Sequence, residues 1–157
     1  MDLFFEKCRE NKLKITPQRV AIYKALTASV SHPSAEQIHK EVKKLFPNLS
    51  LDTVNRTLVT FAGAHMIDVV EGHGDSRRFD PNREAHHHFY CVSCRKIFDF
   101  QADSFQADPL DSLVLPREME EKFLITGKRI CLTGYCDQCR SKMAGKKLTL
   151  VAVKHRI

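Results

Sequence analysis

Four of the six cysteines lie in two CxxC pairs, Cys91-Val-Ser-Cys94 and Cys136-Asp-Gln-Cys139. A CxxC turn places two thiolates in half of a tetrahedral shell, so two such turns form a closed site that suits a structural Zn²⁺. The alternatives are a redox-active CxxC or a pair of disulfides, and two paired turns exceed what a redox motif needs. Because 41 residues separate the pairs, we expect the zinc to join the two ends of a whole domain.

The length and composition are those of a soluble chain with one ordinary domain or two small ones. The chain has 157 residues, 43% of them hydrophobic, and no apolar run approaches the roughly 18 residues that span a bilayer. The first residues lack the basic start and small-residue cleavage site of a secretion signal. We therefore expect a cytoplasmic protein, with Cys8 and Cys131 as buried small hydrophobes or bystanders.

The first half of the chain has a helical pattern with three start signals. A Ser or Thr that can cap a helix precedes each of three apolar stripes of helical spacing. Two strand-like segments, 66–71 and 76–80, follow around a Gly-rich turn at 72–75. Three helices and a hairpin in this order predict a winged helix-turn-helix. The caps are Thr16, Ser34 and Ser50, and the stripes contain Val20, Ile22, Tyr23, Leu26; Ile38, Val42, Leu45; and Val54, Leu58, Phe61.

In a winged helix, the third predicted helix, 51–64, is the one whose outer face enters the major groove of DNA. Arg56 has the geometry to read guanine and Asn55 to read adenine through paired hydrogen bonds. The alternative is that this face is simply solvated, and periodicity does not decide between the two. The residues predicted on it are Asp52, Thr53, Asn55, Arg56 and Thr60.

The net charge of +6 is weak evidence for nucleic-acid binding because it is concentrated at one end. Six Lys or Arg and no acidic residue lie between Arg140 and Ile157, and the remainder of the chain is balanced. A basic tail at 144–157 is more often a solvated extension than a phosphate-binding arm. The argument for DNA binding therefore depends on the local motifs.

Beyond about residue 81 the pattern changes to strands, predicted at 87–91, 96–100 and 124–132, with helical stretches between 104 and 123. These segments predict a second, α/β domain that contains the zinc site. The short polar segment 81–84 would act as a hinge. The predicted organisation is a winged-helix domain at 1–80, the hinge, a metal-binding domain at 85–143 and the tail.

A run of three histidines precedes the first CxxC and predicts a second metal site. On a strand, His86 and His88 share one face while His87 points to the other. Asp80 and Asp99 lie on either side of the run. Two imidazoles with one or two carboxylates suit Fe²⁺, Mn²⁺ or Zn²⁺, although a histidine pair on a strand is also a common surface feature.

Together the motifs resemble the ferric uptake regulator (Fur) superfamily, over about residues 4–143. The resemblance implies an α+β fold, with an N-terminal winged helix-turn-helix domain and a C-terminal α/β dimerisation domain that has the structural zinc site of four cysteines. It implies a homodimeric, metal-responsive repressor that binds a palindromic operator in double-stranded DNA. The motifs are Lys14-Ile-Thr-Pro-Gln-Arg19, His32-Pro-Ser-Ala-Glu, Asp52-Thr-Val-Asn-Arg-Thr-Leu58, Arg78-Phe-Asp80, His86-His-His-Phe-Tyr-Cys91-Val-Ser-Cys94, Ile97-Phe-Asp-Phe100 and Gly134-Tyr-Cys-Asp-Gln-Cys139.

The resemblance also implies roles for individual residues. A cation shared between the two domains would close the hinge and set the recognition helices at the spacing of two half-sites. No organic cofactor and no membrane partner is implied. The regulatory metal ligands carried over are His32, Asp80, His86, His88 and Asp99, and the DNA-binding residues are Lys14, Thr16, Gln18, Arg19, Thr53, Asn55 and Arg56.

Within the superfamily, Arg78-Phe79-Asp80 is most similar to the peroxide-sensing branch, PerR, since iron-uptake members usually have Glu at the position of Asp80. In that branch bound Fe²⁺ reacts with hydrogen peroxide, one histidine ligand, here His32 or His86, gains oxygen, and the DNA is released. Mn²⁺ in the same site represses without sensing. Such a protein consumes its own ligand and is not an enzyme.

Other functions remain open at this stage. Within the superfamily, an iron- or zinc-uptake regulator in which the metal itself is the signal is the alternative. A zinc-containing protein interaction module would need an inert face on helix 51–64, and a non-haem iron enzyme would need an open coordination position beside a substrate pocket.

The sequence departs from the superfamily at two places. Asn55 replaces the usual Tyr of the recognition helix, which predicts a different operator preference. The third metal site of iron-uptake members is expected to be absent, because its aligned ligand positions hold Ala85, Gln106 and Lys128.

Overall fold

The computed structural model describes residues 1–29, 31–70, 77–101, 114–125 and 128–143. The first part is helical, with four helices followed by a two-stranded antiparallel sheet. The second part has a three-stranded sheet of order β4-β3-β5 and two short helices. The elements are α1 Asp2–Glu10, α2 Pro17–Thr27, α3 Ala35–Val42, α4 Leu51–Gly63, β1 Asp68–Val70, β2 Arg78–Asp80, β3 His87–Cys91, β4 Ile97–Phe100, α5 Arg117–Lys122, β5 Cys131–Gly134 and α6 Asp137–Lys142.

All three predicted caps are present. Thr16 Oγ1 accepts a hydrogen bond from the Arg19 N–H at 3.3 Å, with Pro17 in the first turn. Ser50 Oγ accepts from the Thr53 N–H at 3.1 Å. These bonds satisfy N–H groups that a helix leaves unpaired at its start. The N-terminal boundaries of α2, α3 and α4 are therefore fixed by side chains that the sequence makes visible.

The first core is formed by the inner faces of α1 to α4 and by Phe79 of β2. Phe4 and Phe61 meet edge to face, with ring centroids 5.9 Å apart, and Tyr23 packs beside both rings. Aromatic pairs of this geometry add stabilisation beyond their buried area. The α2–α4 helices and the β1–β2 hairpin thus form the expected winged helix-turn-helix.

Several predictions for this part of the chain were wrong in detail. The count of three helices missed α1, whose buried face consists of Phe4 and Cys8. Leu45 does not extend the apolar stripe of α3, because the helix ends at Val42 and Leu45 is 73% exposed. The Gly-rich turn at 72–75 lies outside the described residues.

In the second part, β3 pairs with β4 as an antiparallel hairpin and with β5 in parallel. The first two strands were predicted correctly within one residue, but the third is Cys131–Gly134 rather than 124–132. Cys131 is exposed, whereas Cys8 is buried as expected. The position of β5 is set by its pairing with β3. The local pattern of apolar residues contains no information about that pairing, so the sequence could not predict it. The predicted basic tail, 144–157, is outside the described residues.

Helix α5 is six residues long and falls within the predicted helical stretches between 104 and 123, of which residues 104–113 are not described. Among the described residues, no helix is both long and apolar enough to cross a membrane.

Candidate metal centres and the surface of the recognition helix

The two CxxC motifs meet at one end of the three-stranded sheet. Cys91 ends β3 and pairs with Gly134 at the end of β5. From there one strand turns into the β3–β4 loop with Cys94, and the other leads into α6 with Cys136 and Cys139. One sulfur from each of the four residues lies within 4.8 Å of the others. Parallel pairing of β3 and β5 therefore brings together two motifs that are distant in sequence.

The geometry of this cluster fits a tetrahedral metal. Zn–S bonds of about 2.3 Å in a tetrahedron place neighbouring sulfurs about 3.8 Å apart. The Sγ atoms of Cys94 and Cys136 are 3.8 Å apart. The Cys136 N–H donates to Cys91 Sγ at 3.3 Å. This bond orients the sulfur and leaves it with lone pairs that can bind a metal. The donor set is therefore that of a closed, structural Zn²⁺ site.

The acidities of the thiols in this cluster differ. Burial raises the pKa of Cys91, but nearby backbone N–H groups, above all that of Cys136, outweigh it and lower the pKa to about 6. For Cys136, the Cys139 N–H acts in the same direction, but burial and the neighbouring thiols raise the pKa above its usual range. The thiolate, not the thiol, binds a metal. The backbone N–H groups thus favour the thiolate form of Cys91, which is the form that binds a metal.

The second cluster draws five residues from separate parts of the chain. They are His32, Asp80, His86, His88 and Asp99, each with one ligand atom within 4.8 Å of the others. His32 lies between α2 and α3, Asp80 ends β2 and His86 immediately precedes β3. Asp99 of β4 is the register partner of His88 in β3. Two residues thus come from the winged-helix side and three from the second domain.

The five ligand atoms converge on one point. His86 Nε2 lies 2.9 Å from His88 Nε2 and 2.8 Å from Asp80 Oδ2. His32 Nε2 is 2.8 Å from Asp99 Oδ1. His32, Asp80, His86 and His88 are at most 4% exposed. The opening to solvent is on the side of Asp99, whose side chain is 38% exposed.

The hydrogen bonding within the described residues supports a cation at this point. His32 Nδ1 is buried without a hydrogen-bond partner there, and His32 Nε2 and Asp80 Oδ2 lie beside other ligand atoms of the cluster without a well-aligned hydrogen bond. Buried polar atoms in this state are costly unless something binds them. His86 Nδ1 donates to the Glu84 carbonyl oxygen at 2.7 Å. In the neutral tautomer that makes this bond, Nε2 carries the lone pair, and it faces the other ligand atoms of the cluster. Three imidazoles and two carboxylates suit Fe²⁺ or Mn²⁺.

Asp80 is held as a carboxylate in this setting. Burial alone would raise its pKa, but the imidazoles of His32 and His88 and the Asn82 N–H hold the pKa well below the usual range. The Asn82 N–H is 2.7 Å from Asp80 Oδ1. That bond leaves the second oxygen, Oδ2, directed at the histidines.

His32 has a left-handed backbone, with φ of 47°. Few non-glycine residues adopt this region, and histidine is among the more tolerant. Strained conformations of this kind are concentrated at functional sites. Sequence periodicity gave no reason to choose His32, and only the family resemblance placed it in the cluster.

His87 points away from the cluster, as the strand alternation predicted. Its ring packs on Phe100 with centroids 5.3 Å apart, and its Nδ1 accepts from the Ile130 N–H at 3.4 Å. His87 therefore supports the sheet.

The outer face of α4 is accessible, as a recognition helix requires. The Arg56 side chain is 80% exposed and lies 3.9 Å from the Asp52 carboxylate, while Asn55 is half-buried. Arg19 donates to the Lys14 carbonyl oxygen at 2.7 Å, which fixes the turn before α2. An open pocket with a volume of about 470 Å³ is lined by five of the predicted DNA-binding residues: Lys14, Thr16, Gln18, Arg19 and Thr53. Their contacts with DNA stay a prediction.

Comparison with known proteins identifies the family. The model of the ferric uptake regulator family matches residues 10–113. The chain belongs to this family. A peroxide-responsive repressor, PerR, of Staphylococcus saprophyticus is 34% identical over 134 residues, which cover 85% of this chain and 87% of the relative.

Solved structures of ferric uptake regulator proteins share the fold. The ferric uptake regulator of Helicobacter pylori has a TM-score of 0.66 at 25% identity, over 87% of this chain and 89% of that one. The peroxide stress regulator of Campylobacter jejuni has a TM-score of 0.61 at 25% identity, over 86% and 98%. The predicted family and fold class are thus confirmed.

The Helicobacter pylori protein is described as having three functional metal binding sites. Among the described residues of this chain, two groups of ligand residues are close enough to hold a metal. Ala85 and Lys128 have no metal-binding side chain, and Gln106 lies outside the described residues.

Proposed function

We propose that this chain is a metal-dependent DNA-binding transcriptional repressor that senses hydrogen peroxide through oxidation of a histidine ligand. The observation that carries the proposal is the His/Asp cluster, which takes ligands from both sides of the 81–84 segment and has Asp at position 80. PerR relatives at 34% identity support peroxide as the signal.

The chain's own residues link metal binding to DNA affinity. His32 and Asp80 belong to the winged-helix side, while His86, His88 and Asp99 belong to the second domain. With a cation bound, all five side chains are held at one point and the hinge is closed. The closed arrangement fixes the orientation of α4, and in a dimer it sets the distance between two recognition helices.

The peroxide response breaks this link. Bound Fe²⁺ would supply the electron transfer that activates hydrogen peroxide inside the cluster. The imidazole of His32 or His86 gains one oxygen atom, and the second oxygen of the peroxide leaves as water. An oxidised imidazole is a poor ligand, so the domains separate and the operator is released. Each subunit reacts once and is not regenerated, so the protein is a sensor and not an enzyme.

Two further parts of the proposal rest on the second domain. Cys91, Cys94, Cys136 and Cys139 would hold a structural Zn²⁺ that keeps the ligand-bearing strand β3 in place. We infer a homodimer for this domain from the family, and its exposed large apolar side chains are ones that a second copy of the chain could cover. Val114 is 91% exposed, Leu124 92% and Phe123 61%.

The decisive experiment is peptide mass spectrometry of Fe²⁺-loaded protein after a brief, low dose of hydrogen peroxide. We expect one added oxygen on His32 or His86, and none in a Mn²⁺-loaded control. His39, which lies outside the cluster and has Nε2 2.8 Å from the Leu49 carbonyl oxygen, serves as an internal control and stays unmodified.

The same experiment tests the alternative function. Unmodified histidines with iron demonstrably bound would contradict peroxide sensing. The metal itself would then be the signal, as in an iron- or zinc-uptake regulator. The similarity in fold to the Helicobacter pylori ferric uptake regulator is what favours this second candidate.

A further inference from the structure

Arg78 joins three parts of the molecule through one guanidinium group. It lies on β2, two residues before Asp80. Its Nη1 donates to the side-chain oxygen of Gln37 in α3 at 2.8 Å. Its Nη2 donates to the Arg95 carbonyl oxygen at 2.9 Å, in the turn that follows Cys94. The guanidinium therefore spans from the winged-helix domain to the cysteine cluster.

Both acceptors of Arg78 are themselves fixed. Gln37 is part of a capping box, in which its Oε1 also accepts from the Ser34 N–H at 2.8 Å. Arg95 has a left-handed backbone with φ of 59°, and its N–H donates to the Cys91 carbonyl oxygen at 2.8 Å. A planar guanidinium loses little freedom when it meets acceptors that are already in place.

The hairpin that bears Arg78 contacts the second domain at other points as well. Val70 of β1 forms a buried apolar cluster with Tyr90 of β3 and Ile97 of β4. Arg129, just before β5, forms an ion pair with Asp68 of β1. The two domains thus meet through protein contacts that do not involve the metal ligands.

We propose that Arg78 is a positioning residue that holds the two domains in the arrangement in which the His/Asp cluster is assembled, and so raises the affinity of that cluster for its metal. The proposal rests on the proposed function, since it concerns the regulation of the same site. The apparent Kd of a ligand equals its intrinsic Kd divided by the fraction of protein in the binding-competent conformation. A smaller fraction therefore gives weaker binding. Loss of Arg78 depopulates the assembled cluster without removing any ligand.

The test is Mn²⁺ binding by zinc-loaded, full-length protein, measured by isothermal titration calorimetry. Arg78→Gln removes the charge and the forked donor, and we expect the Mn²⁺ Kd to rise about tenfold, within the range of interdomain couplings. Arg77→Gln is the matched control: it removes the same charge from an exposed neighbour and leaves the Kd unchanged. Zinc content and circular dichroism of both variants should match the wild type.

A second variant tests the same link in the opposite direction. Gln37→Glu keeps the capping box and gives Arg78 a carboxylate partner, which forms a stronger, charge-assisted hydrogen bond. We expect the Mn²⁺ Kd to fall severalfold. In the Arg78→Gln background the same substitution should give no gain, because the partner is absent.

The outcomes separate this proposal from the proposed function. A wild-type protein that binds no Mn²⁺ contradicts the proposed function. Normal binding by the wild type together with an unchanged Kd in Arg78→Gln overturns the role of Arg78 alone. A gain from Gln37→Glu that persists without Arg78 also overturns it, since the effect would then come from α3 itself.

Discussion

The two ligand clusters have similar dimensions but are built in different ways. The cysteine cluster uses two short motifs of one domain, each with its own turn, and its sulfurs are oriented by backbone N–H groups. The His/Asp cluster uses five residues spread from position 32 to position 99, from both domains. A cluster confined to one domain stabilises that domain, whereas a cluster shared by two domains makes their arrangement depend on the ligand.

The difference also has a chemical side. Four thiolates complete a tetrahedral shell and leave no open position. Three imidazoles and two carboxylates, with Asp99 partly exposed to solvent, leave access for a small oxidant. The cysteine cluster is therefore suited to a permanently bound metal, and the His/Asp cluster to a metal that can exchange.

The strongest way to test this contrast is to remove one cysteine ligand. Cys94→Ser should prevent zinc binding and unfold the second domain, because structural zinc contributes its binding free energy, on the order of 10 kcal/mol, directly to folding. Circular dichroism and zinc analysis check the result. Cys131→Ser is the control, since Cys131 is exposed and outside the cluster. A folded, zinc-free Cys94→Ser protein would contradict the structural role.

Removing one ligand of the second cluster should leave the fold intact. His86→Ala should weaken Mn²⁺ binding by about 100-fold or more, since loss of outer-shell partners alone costs roughly 10- to 100-fold. Metal-dependent operator binding should be lost, as measured by fluorescence anisotropy. His65→Asn, which replaces an exposed histidine of positive φ, should change neither property. Unchanged affinity in His86→Ala would remove His86 from the site.

A smaller effect is expected from a substitution on the proposed DNA-binding face of α4. Arg56→Ala should cost about 1–3 kcal/mol on the cognate operator and relax specificity at one base pair. Arg9→Ala, an equal loss of charge on α1, controls for non-specific attraction. An equal loss on all DNA sequences would show that Arg56 contacts phosphate.

The smallest effect concerns the cysteines outside the zinc site. In the zinc-loaded protein, iodoacetamide should label exposed Cys131 and spare buried Cys8. Partial burial raises the pKa of the Cys131 thiol above its ordinary value, so the reactive thiolate is the minor form at neutral pH. Labelling should therefore accelerate roughly tenfold per pH unit as the pH rises towards 9. A rate independent of pH would contradict this assignment.

The contrast between the clusters also explains what the sequence could reveal. CxxC spacing encodes its own local geometry, so the cysteine cluster was predictable from the motif. The shared face of His86 and His88 followed from strand alternation. His32 belongs to the second cluster because the fold brings its loop close to β3. No rule on residue spacing predicts that contact. Only similarity to a family carried this information.

The errors in secondary structure have the same origin. Helix caps are local, so Thr16, Ser34 and Ser50 marked the starts of three helices correctly. Strand β5 is defined by its pairing with β3, and the apolar residues at 124 and 125 drew the prediction towards the wrong segment. Leu45 was assigned to a buried stripe although α3 ends three residues earlier.

The left-handed backbone at His32 restricts which residues can replace it at low cost. Besides glycine, asparagine and aspartate are the residues that adopt such a backbone at low cost. Both are one nucleotide away from histidine in the genetic code. Aspartate retains a metal-binding oxygen while it removes one of the two imidazoles expected to be oxidised. Under the proposed function, the conformation of a single residue leaves a short evolutionary route towards a regulator that keeps its metal and responds less to oxidants.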